Sequence, residues 1–242
     1  LFFGPSGTGK SASAQAIAHY LHGTFYSFSG ADMPSSTEKQ AQRITALFDV
    51  ALAGPRPAII FLDEVDTLLS VRATARVGHF AKEWGRFTDG LLVIGATNSV
   101  KKIAPKIIAR LERKILVDNP NPDARRALIL RQLAQEEHEQ VLTGEDMAYI
   151  IEATKGRSAV NMERLVSTAV LRAGEVPVSR ADFDLALEEE PSDYDKTVAK
   201  ANAEYNAYYG WKKRILPSRF FDPWEDREGE EDGSDSDDTD AS

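Results

Sequence analysis

Near the start of the chain, eight consecutive residues have the types and spacing of a loop that binds phosphate. They are Gly4, Pro5, Ser6, Gly7, Thr8, Gly9, Lys10 and Ser11. The glycines allow backbone N–H groups to approach phosphate oxygens, and a helix that begins where the loop ends adds the positive end of its dipole. The Lys10 ammonium can pair with the β- and γ-phosphates of ATP, and the Ser11 hydroxyl can coordinate Mg²⁺. The pattern therefore predicts a site for ATP and Mg²⁺, with an ordinary glycine-rich turn as the alternative.

Two adjacent carboxylates, Asp63 and Glu64, follow an apolar run over residues 58–62. A buried strand has no packing reason to end in two acids, and ligands bind at the carboxyl ends of the strands in open α/β sheets. We expect Asp63 to hold Mg²⁺ through water and Glu64 to act as the general base for the attacking water. Carboxylates that only cap the strand end are the alternative.

A second apolar run, residues 91–96, is followed by Thr97 and Asn98. If this run is a strand of the same sheet, its polar end lies at the height of the γ-phosphate. The Asn98 amide could then orient the attacking water. A turn that only terminates the strand explains the same residues.

This chemistry requires strands that end at one edge of a sheet, and the remaining sequence predicts such a sheet. Short, continuous apolar runs suit parallel strands that are covered by helices on both faces. The predicted strands are residues 1–3, 24–28, 58–62, 91–96 and 114–117, and the predicted helices include 10–21 and one that carries Ile44, Leu47, Phe48 and Ala51. The predicted fold class is therefore α/β, a P-loop NTPase fold with a parallel sheet covered by helices.

After the sequence Asn-Pro-Asn-Pro at 119–122, the pattern changes to helices alone. Asp123 is expected to cap a helix over residues 124–135, and further helical periods cover 145–153, 160–173 and 181–188. We predict a large α/β ATP-binding part over residues 1–119, a small all-helical lid domain with the C-terminal helices over 120–210, and a linker with an acidic disordered tail over 211–242.

In their order and spacing, the segments Gly4–Ser11, Asp63–Asp66 and Gly95–Asn98 resemble the Walker A, Walker B and sensor elements of the AAA family of ATPases. The resemblance extends from Leu1 to about Gly210. It implies an ATP hydrolase that works as a homo-oligomeric ring, such as a hexamer, and remodels proteins or protein assemblies.

In that family a neighbouring subunit inserts arginines toward the γ-phosphate from a segment before the last strand of the large domain. The corresponding segment is residues 108–113, where Arg110 fits one finger and Ala109 stands where the family often has the other. A planar, permanently charged guanidinium can stabilise the negative charge that develops on the phosphoryl oxygens in the transition state. The resemblance therefore implies a catalytic role for Arg110, against the alternative of an arginine at an exposed helix end.

Residues 154–161 resemble the turn of the AAA lid that lies against adenine. The resemblance implies that Ala159 and Val160 contact the base, and Ser158 as the cap of the following helix explains the same residues equally well. Farther along, residues 182–187 and 203–210 are similar to the closing helices of the group that includes katanin, spastin and fidgetin.

One departure from the family concerns the first pore loop, which follows the second strand. Members that thread proteins carry an aromatic residue there, followed by an aliphatic residue and glycine, and residues 31–38 contain no aromatic residue. Met33 is apolar and flexible enough to contact a substrate, or it is a core residue.

Composition limits the other classes of function. The 242 residues include no cysteine, which excludes disulfides and thiolate sites, and the four histidines form no ligand cluster. No apolar run approaches the ~20 residues of a membrane span. The net charge is −9, but residues 222–242 hold eleven acidic residues and one arginine, which leaves the remainder at about +1. We expect no nucleic-acid binding and a soluble protein of the cytoplasm or nucleus.

Three functions remain open from the sequence. The first is an ATP-driven remodeller of proteins that works as a ring. The second is a weakly hydrolysing, nucleotide-dependent scaffold, which the missing pore aromatic and the single finger favour. The third is a DNA-directed ATPase similar to a clamp loader, which requires a basic surface. The first explains the combination of Lys10, Asp63, Glu64 and Asn98.

Overall fold

The sheet is parallel throughout, and its order brings the ends of the predicted functional strands to one edge. The computed structural model describes residues 1–86 and 89–209, so the predicted tail over 211–242 lies outside the described residues. The strands are β1 Phe2–Phe3, β2 Thr24–Phe28, β3 Ala58–Leu62, β4 Leu91–Thr97 and β5 Ile115–Leu116. They pair in the order β2-β3-β4-β1-β5. The α/β fold class with a covered parallel sheet is confirmed.

Helices alternate with these strands and then continue alone. Within the described residues they are α1 Lys10–Tyr20, α2 Thr37–Ala53, α3 Val65–Leu68, α4 Thr74–Trp84, α5 Pro105–Ile108, α6 Pro122–Gln135, α7 Gly144–Ala153, α8 Ala159–Ala173, α9 Arg180–Glu189 and α10 Lys196–Tyr209. The predicted strand over 114–117 is shorter than expected. Sequence reasoning passed over α4, although its buried residues Val77, Phe80, Ala81 and Trp84 recur at helical spacing.

The central strand β3 shows why helices must cover both faces of the sheet. All five of its residues are buried, and successive side chains of a strand point to opposite faces. One alternate set joins a core with Phe48 of α2 and Phe80 of α4. The other set, Ile59 and Phe61, packs with Ala14 of α1. Since α1 begins directly after the glycine-rich loop, this packing fixes the loop on the sheet.

The helices after β5 have a hydrophobic core of their own, which includes Ile129 of α6, Leu165 of α8 and Phe183 of α9. All described residues lie within one compact unit. The change from sheet to helices falls between Leu116 and Pro122. The functional subdivision at residues 119/120 stays a prediction.

The predicted cap of α6 is wrong. The capping residue is Asn121, whose Oδ1 accepts a hydrogen bond from the Ala124 N–H at 2.8 Å. Pro122 occupies the first helical turn and favours an extended conformation for the residue before it, as a cap requires. Asp123 lies inside the first turn, where its negative charge favours the helix dipole instead.

A buried arginine ties α6 to the segment that leaves the sheet. Arg125 is 4% exposed. Its Nε donates to the Ile151 carbonyl of α7 at 3.1 Å, and an Nη donates to the Pro120 carbonyl at 2.9 Å. A buried guanidinium needs such acceptors, so these two contacts anchor the start of the helical region.

A histidine joins two loops of the helical region. His138 Nδ1 lies 3.0 Å from the Glu139 carbonyl oxygen, and Nε2 lies 2.9 Å from the Gly174 carbonyl oxygen. Carbonyl oxygens only accept hydrogen bonds, so both ring nitrogens can be satisfied only in the imidazolium form. The hydrogen bonds to Glu139 and then to Gly174 raise the pKa of His138.

Candidate functional site

The glycine-rich loop lies between β1 and α1 at the carboxyl edge of the sheet. Two of its glycines are required for different physical reasons. A Cβ on Gly4 would lie 2.0 Å from the Val117 carbonyl oxygen, so only glycine allows β1 and β5 to approach here. Gly9 has a φ of +92° with open space around it, so its backbone conformation alone favours glycine. The rest of the loop is held by a hydrogen bond from the Thr8 hydroxyl to the Pro5 carbonyl at 3.0 Å.

Lys10 is the buried cation of this loop. Its Nζ donates to the carbonyl oxygens of Gly4 at 3.1 Å and Pro5 at 2.5 Å. Burial lowers the pKa of Lys10 to about 8, although the charges of Asp63 and Asp66 act in the opposite direction. The ammonium form still predominates at neutral pH. Phosphate oxygens would add negative charge beside this buried ammonium and so favour its charged form further.

The loop and the end of β3 meet through one hydrogen bond. The Ser11 hydroxyl donates to Asp63 Oδ2 at 3.1 Å across 52 residues of sequence. Asp63 is fixed on both sides, because its N–H donates to the Phe28 carbonyl and its Oδ1 accepts the Glu64 N–H at 2.9 Å. The structure therefore brings the two predicted metal-binding residues together.

The chemistry of this pair fits Mg²⁺. A hydroxyl and a carboxylate oxygen are hard ligands, and Mg²⁺ commonly takes one or two protein oxygens together with phosphate oxygens and water. In the part of the chain that the structure describes, no group of three or more histidine, aspartate and glutamate side chains could hold a metal ion. A magnesium site here would thus be completed by the nucleotide and by water.

Glu64 begins α3 from an uncommon backbone conformation. Its φ is +47° and ψ is +50°, in the left-handed region, and its side chain is exposed. A non-glycine residue there costs about 1–3 kcal/mol and is often found at functional sites. The chain therefore turns sharply at Glu64, which places an exposed carboxylate directly after the fixed carboxylate of Asp63.

Thr97 connects the end of β4 to α3, the short helix that follows β3. Its side-chain hydroxyl donates to Asp66 Oδ1 at 2.6 Å and accepts the Ser99 N–H at 2.9 Å. Thr97 is 2% exposed, whereas Asn98 is exposed beside it. These bonds fix the backbone on both sides of Asn98. Sequence reasoning gave Asp66 no separate role, although it follows Asp63 by one helical turn.

The turn before α8 contacts the phosphate loop directly. The Val160 N–H donates to the Gly7 carbonyl at 3.1 Å. The predicted cap is also confirmed, since the Ser158 hydroxyl accepts the Asn161 N–H at 3.2 Å. The two interpretations of this segment are therefore compatible: Ser158 caps the helix, and the helix start lies against the loop. Ala159 is half-buried and Val160 is exposed at this place. Their contact with adenine stays a prediction.

Two residues that sequence reasoning missed hold this turn. Asp193 accepts hydrogen bonds from the Ser158 N–H at 3.0 Å and from the Ser158 hydroxyl. Asn119 Nδ2 donates to the Gly156 carbonyl at 2.7 Å. The contacts span more than 30 residues of sequence, so no local pattern could have predicted them.

Arg110 does not join the phosphate site of its own chain. It is exposed, and its guanidinium donates to the Lys106 carbonyl of the preceding turn at 3.0 Å. Arg110 lines a cavity of about 630 Å³ with Leu1, Leu92 and other residues near the amino ends of β1 and β4. Lys10 and Asp63 lie at the opposite, carboxyl edge.

The predicted pore position Met33 is partly buried and packs against the main core of the sheet. This favours the interpretation of Met33 as a core residue. No helix within residues 1–86 and 89–209 is long and apolar enough to cross a membrane.

Comparison with protein families and curated proteins places these features among known domains. Residues 1–119 match the model of the "ATPase family associated with various cellular activities (AAA)". Spastin from Ixodes scapularis is 33% identical over 183 residues, which are 71% of this chain and 28% of that protein. The "ATPase family AAA domain-containing protein FIGL1" from Arabidopsis thaliana is 33% identical over 183 residues, 71% of this chain and 27% of that protein. The chain thus spans about a quarter of the length of these relatives.

A solved structure has the same fold. The crystal structure of the FIGL-1 AAA domain in complex with ADP superposes with a TM-score of 0.76 at 26% identity, covering 87% of this chain and 77% of that chain. The relatives bear out the resemblance to the group that contains spastin and fidgetin-like proteins. The roles of the individual site residues stay predictions.

Proposed function

We propose, from the premise that this chain belongs to the AAA family of ATPases through residues 1–119, that it binds ATP with Mg²⁺ and hydrolyses it. The observation that carries the proposal is the hydrogen bond between the Ser11 hydroxyl and Asp63. It joins the phosphate loop to the carboxylates at the end of β3, as hydrolysis of a bound nucleoside triphosphate requires. The ADP in the related FIGL-1 structure supports a nucleotide as the ligand.

In this proposal the loop residues bind and orient the triphosphate. The backbone of Gly4–Gly9 and the start of α1 surround the phosphates, and Lys10 pairs with the β- and γ-phosphates. Ser11 and Asp63 hold Mg²⁺, which supplies positive charge beside the phosphate oxygens. The start of α8 contacts the loop at Gly7, which supports a place for the adenine beside Ala159 and Val160.

Glu64 is the proposed general base. It takes a proton from water as the water oxygen attacks the γ-phosphorus, and the bond from that phosphorus to the bridging oxygen of ADP breaks. The products are ADP and inorganic phosphate. Asn98 holds the attacking water, and Thr97 fixes the backbone on which Asn98 stands.

We also propose that hydrolysis takes place in a homo-oligomeric ring and drives the remodelling of a protein or a protein assembly. The position of Arg110 supports a shared site, because it lies toward the amino edge of the sheet, away from Lys10 and Asp63. In a ring, Arg110 of each subunit would reach the γ-phosphate of its neighbour.

The test compares two variants for binding and turnover. Lys10→Ala should abolish ATP binding, because it removes the cation that meets the ground-state phosphates. Glu64→Gln should bind ATP but slow turnover by about 10²-fold or more, since a general base contributes that much. Glu175→Gln, at an exposed glutamate in the loop after α8, is the matched control. If Glu64→Gln turns over within about twofold of the parent, the assignment of the base is wrong.

A mixing experiment tests the ring. Arg110→Ala should leave ATP affinity nearly unchanged and suppress hydrolysis, with Arg126→Ala, at an exposed arginine of α6, as the control. Mixing Arg110→Ala with Glu64→Gln protein should restore part of the activity, because some shared sites then contain an intact base and an intact finger. No recovery, together with hydrolysis that is independent of protein concentration, would contradict the ring.

A nucleotide-dependent scaffold is the second candidate. The absence of an aromatic residue in 31–38, the core packing of Met33 and the alanine at position 109 favour it. A scaffold should bind ATP tightly and bind a partner protein only in that state. In addition, the partner protein should dissociate from Glu64→Gln at the same rate as from the parent, because release from a scaffold would not depend on hydrolysis.

A further inference from the structure

A second cavity adjoins the candidate site and has no part in the proposed hydrolysis. It measures about 380 Å³ and lies between the turn that follows β4, residues 98–102, and the helix α10. Asn98 and Asp66, which both belong to the candidate site, are among the residues that line it. No residue of Gly4–Ser11 lines it. The cavity therefore has Asn98 and Asp66 in common with the candidate site but no residue of the phosphate loop.

The lining includes a buried side-chain amide of α10 whose nitrogen has no hydrogen-bond partner within the described residues. This residue is Asn202, which is only 5% exposed and whose Nδ2 donates to no acceptor in the part of the chain that the structure describes. Buried amide groups in native proteins are nearly always hydrogen-bonded, because an unpaired one costs free energy. A buried donor at a cavity wall thus indicates an acceptor that enters the cavity.

Most of the other polar side chains that line the cavity can donate hydrogen bonds. They include the Asn98 amide, the hydroxyls of Ser99 and Thr197, and the exposed lysines Lys101 and Lys102. Among the described residues that line the cavity, Asp66 is the one carboxylate, and it already accepts the Thr97 hydroxyl at 2.6 Å. Several donors with two cations around one carboxylate suit an oxyanion with many acceptor oxygens.

We propose that this cavity is a transient binding site for inorganic phosphate, which leaves the candidate site past Asn98 and is held by Asn202 of α10 and by Lys102. The inference rests on the proposed function, because hydrolysis would release phosphate beside Asn98. It gives α10 a role in product release. Phosphate from the γ-position of ATP and phosphate from solution share this chemistry, and the two parts of the experiment separate them.

The first part measures binding of inorganic phosphate without nucleotide, by calorimetry at constant ionic strength. Lys10→Ala serves as the background, because it removes the cation of the loop and leaves the second cavity intact. Adding Asn202→Leu should weaken phosphate binding by about tenfold, as expected for the loss of a hydrogen bond to a charged group. Lys102→Gln, at an exposed position that does not endanger folding, should also weaken it, whereas Lys200→Gln on α10 outside the cavity should not.

The second part measures ATP hydrolysis with added phosphate at saturating ATP. Phosphate should still inhibit the otherwise unchanged protein, since the cavity lies outside the loop that ATP fills. Asn202→Leu and Lys102→Gln should each raise the phosphate concentration needed for half-inhibition, again by about tenfold for Asn202→Leu. Inhibition that ATP relieves completely would overturn the proposal, because phosphate would then bind only in the loop.

The two proposals fail in different ways. If the protein hydrolyses no ATP but the Lys10→Ala background binds phosphate through Asn202 and Lys102, the phosphate site stands and the proposed function falls. If hydrolysis is normal but Asn202→Leu and Lys102→Gln bind phosphate as tightly as the Lys200→Gln control, the phosphate site is wrong and the proposed function stands.

Discussion

The Thr97 hydroxyl, which joins the end of β4 to α3, offers the sharpest test of the geometry around Asn98. Replacing Thr97 by valine keeps the shape of the side chain and removes its hydrogen bonds to the Asp66 carboxylate and to the Ser99 N–H. Both bonds lie at a residue that is 2% exposed. Thr97→Val should therefore lower the free energy of unfolding and slow ATP hydrolysis together.

The size of the effect follows from the two bonds. A hydrogen bond to a charged group contributes about 1.5–3 kcal/mol, and the unpaired Ser99 N–H adds a further loss, so we expect about 2–4 kcal/mol. Thr97→Ser is the matched control, because it keeps the hydroxyl and removes one buried methyl group. That removal should cost only about 1 kcal/mol.

Urea denaturation measures both variants, with the slope of the transition checked for constancy. At a slope of about 3 kcal/mol/M, Thr97→Val should lower the midpoint by about 1 M and Thr97→Ser by about 0.3 M. The turnover number should fall in Thr97→Val and remain near that of the parent in Thr97→Ser. Equal losses of stability in the two variants, or full turnover in Thr97→Val, would refute the role of the hydroxyl.

Three further predictions concern the helical region. Arg125→Leu should lower the free energy of unfolding by about 2–4 kcal/mol in urea titrations, because the carbonyls of Ile151 and Pro120 lose the donor that the buried guanidinium supplies. Arg125→Lys should recover only part of that loss. The raised pKa of His138 in the folded state means that its stabilisation is complete below about pH 6.5 and is lost as the pH rises through that raised pKa. The difference in melting temperature between the parent and His138→Gln should therefore be larger at pH 5.5 than at pH 8, and a constant difference would contradict the imidazolium. Asp193→Ala should destabilise the Ser158 turn, by about 1 kcal/mol in thermal unfolding, and raise the KM for ATP more than it lowers turnover.

Much of the sheet and of the phosphate site could be predicted because their signals are local. The loop Gly4–Ser11 carries its function in eight consecutive residues, and the run over 58–62 is apolar because both faces of that strand are buried, as are residues 94–97 of the next strand. The acids after β3 stood out because polar residues at the end of a buried strand need another explanation. Such features can be recognised in the sequence without knowledge of the tertiary structure.

The rest depends on contacts between distant parts of the chain. Asp193 binds Ser158 across 35 residues, and Asn202 reaches the turn after β4 across about a hundred, so neither has a neighbour in sequence that marks it. The wrong cap at Asp123 has a different cause. Both Asn121 and Asp123 are good capping residues, and the position of Pro122 decided between them through backbone geometry that the sequence analysis did not weigh.

The different surroundings of Gly4 and Gly9 indicate that inherited substitutions at these two positions cause different defects. A methyl group on Gly4 meets a backbone oxygen of the adjacent strand, so an alanine variant should lose folded protein in the cell before any effect on phosphate can be measured. A methyl group on Gly9 meets nothing, and its cost is the conformation of one residue. A variant at Gly9 should therefore be abundant but defective in the loop. The same family signature thus contains one position at which harmful alleles act through protein abundance and another at which they act through function.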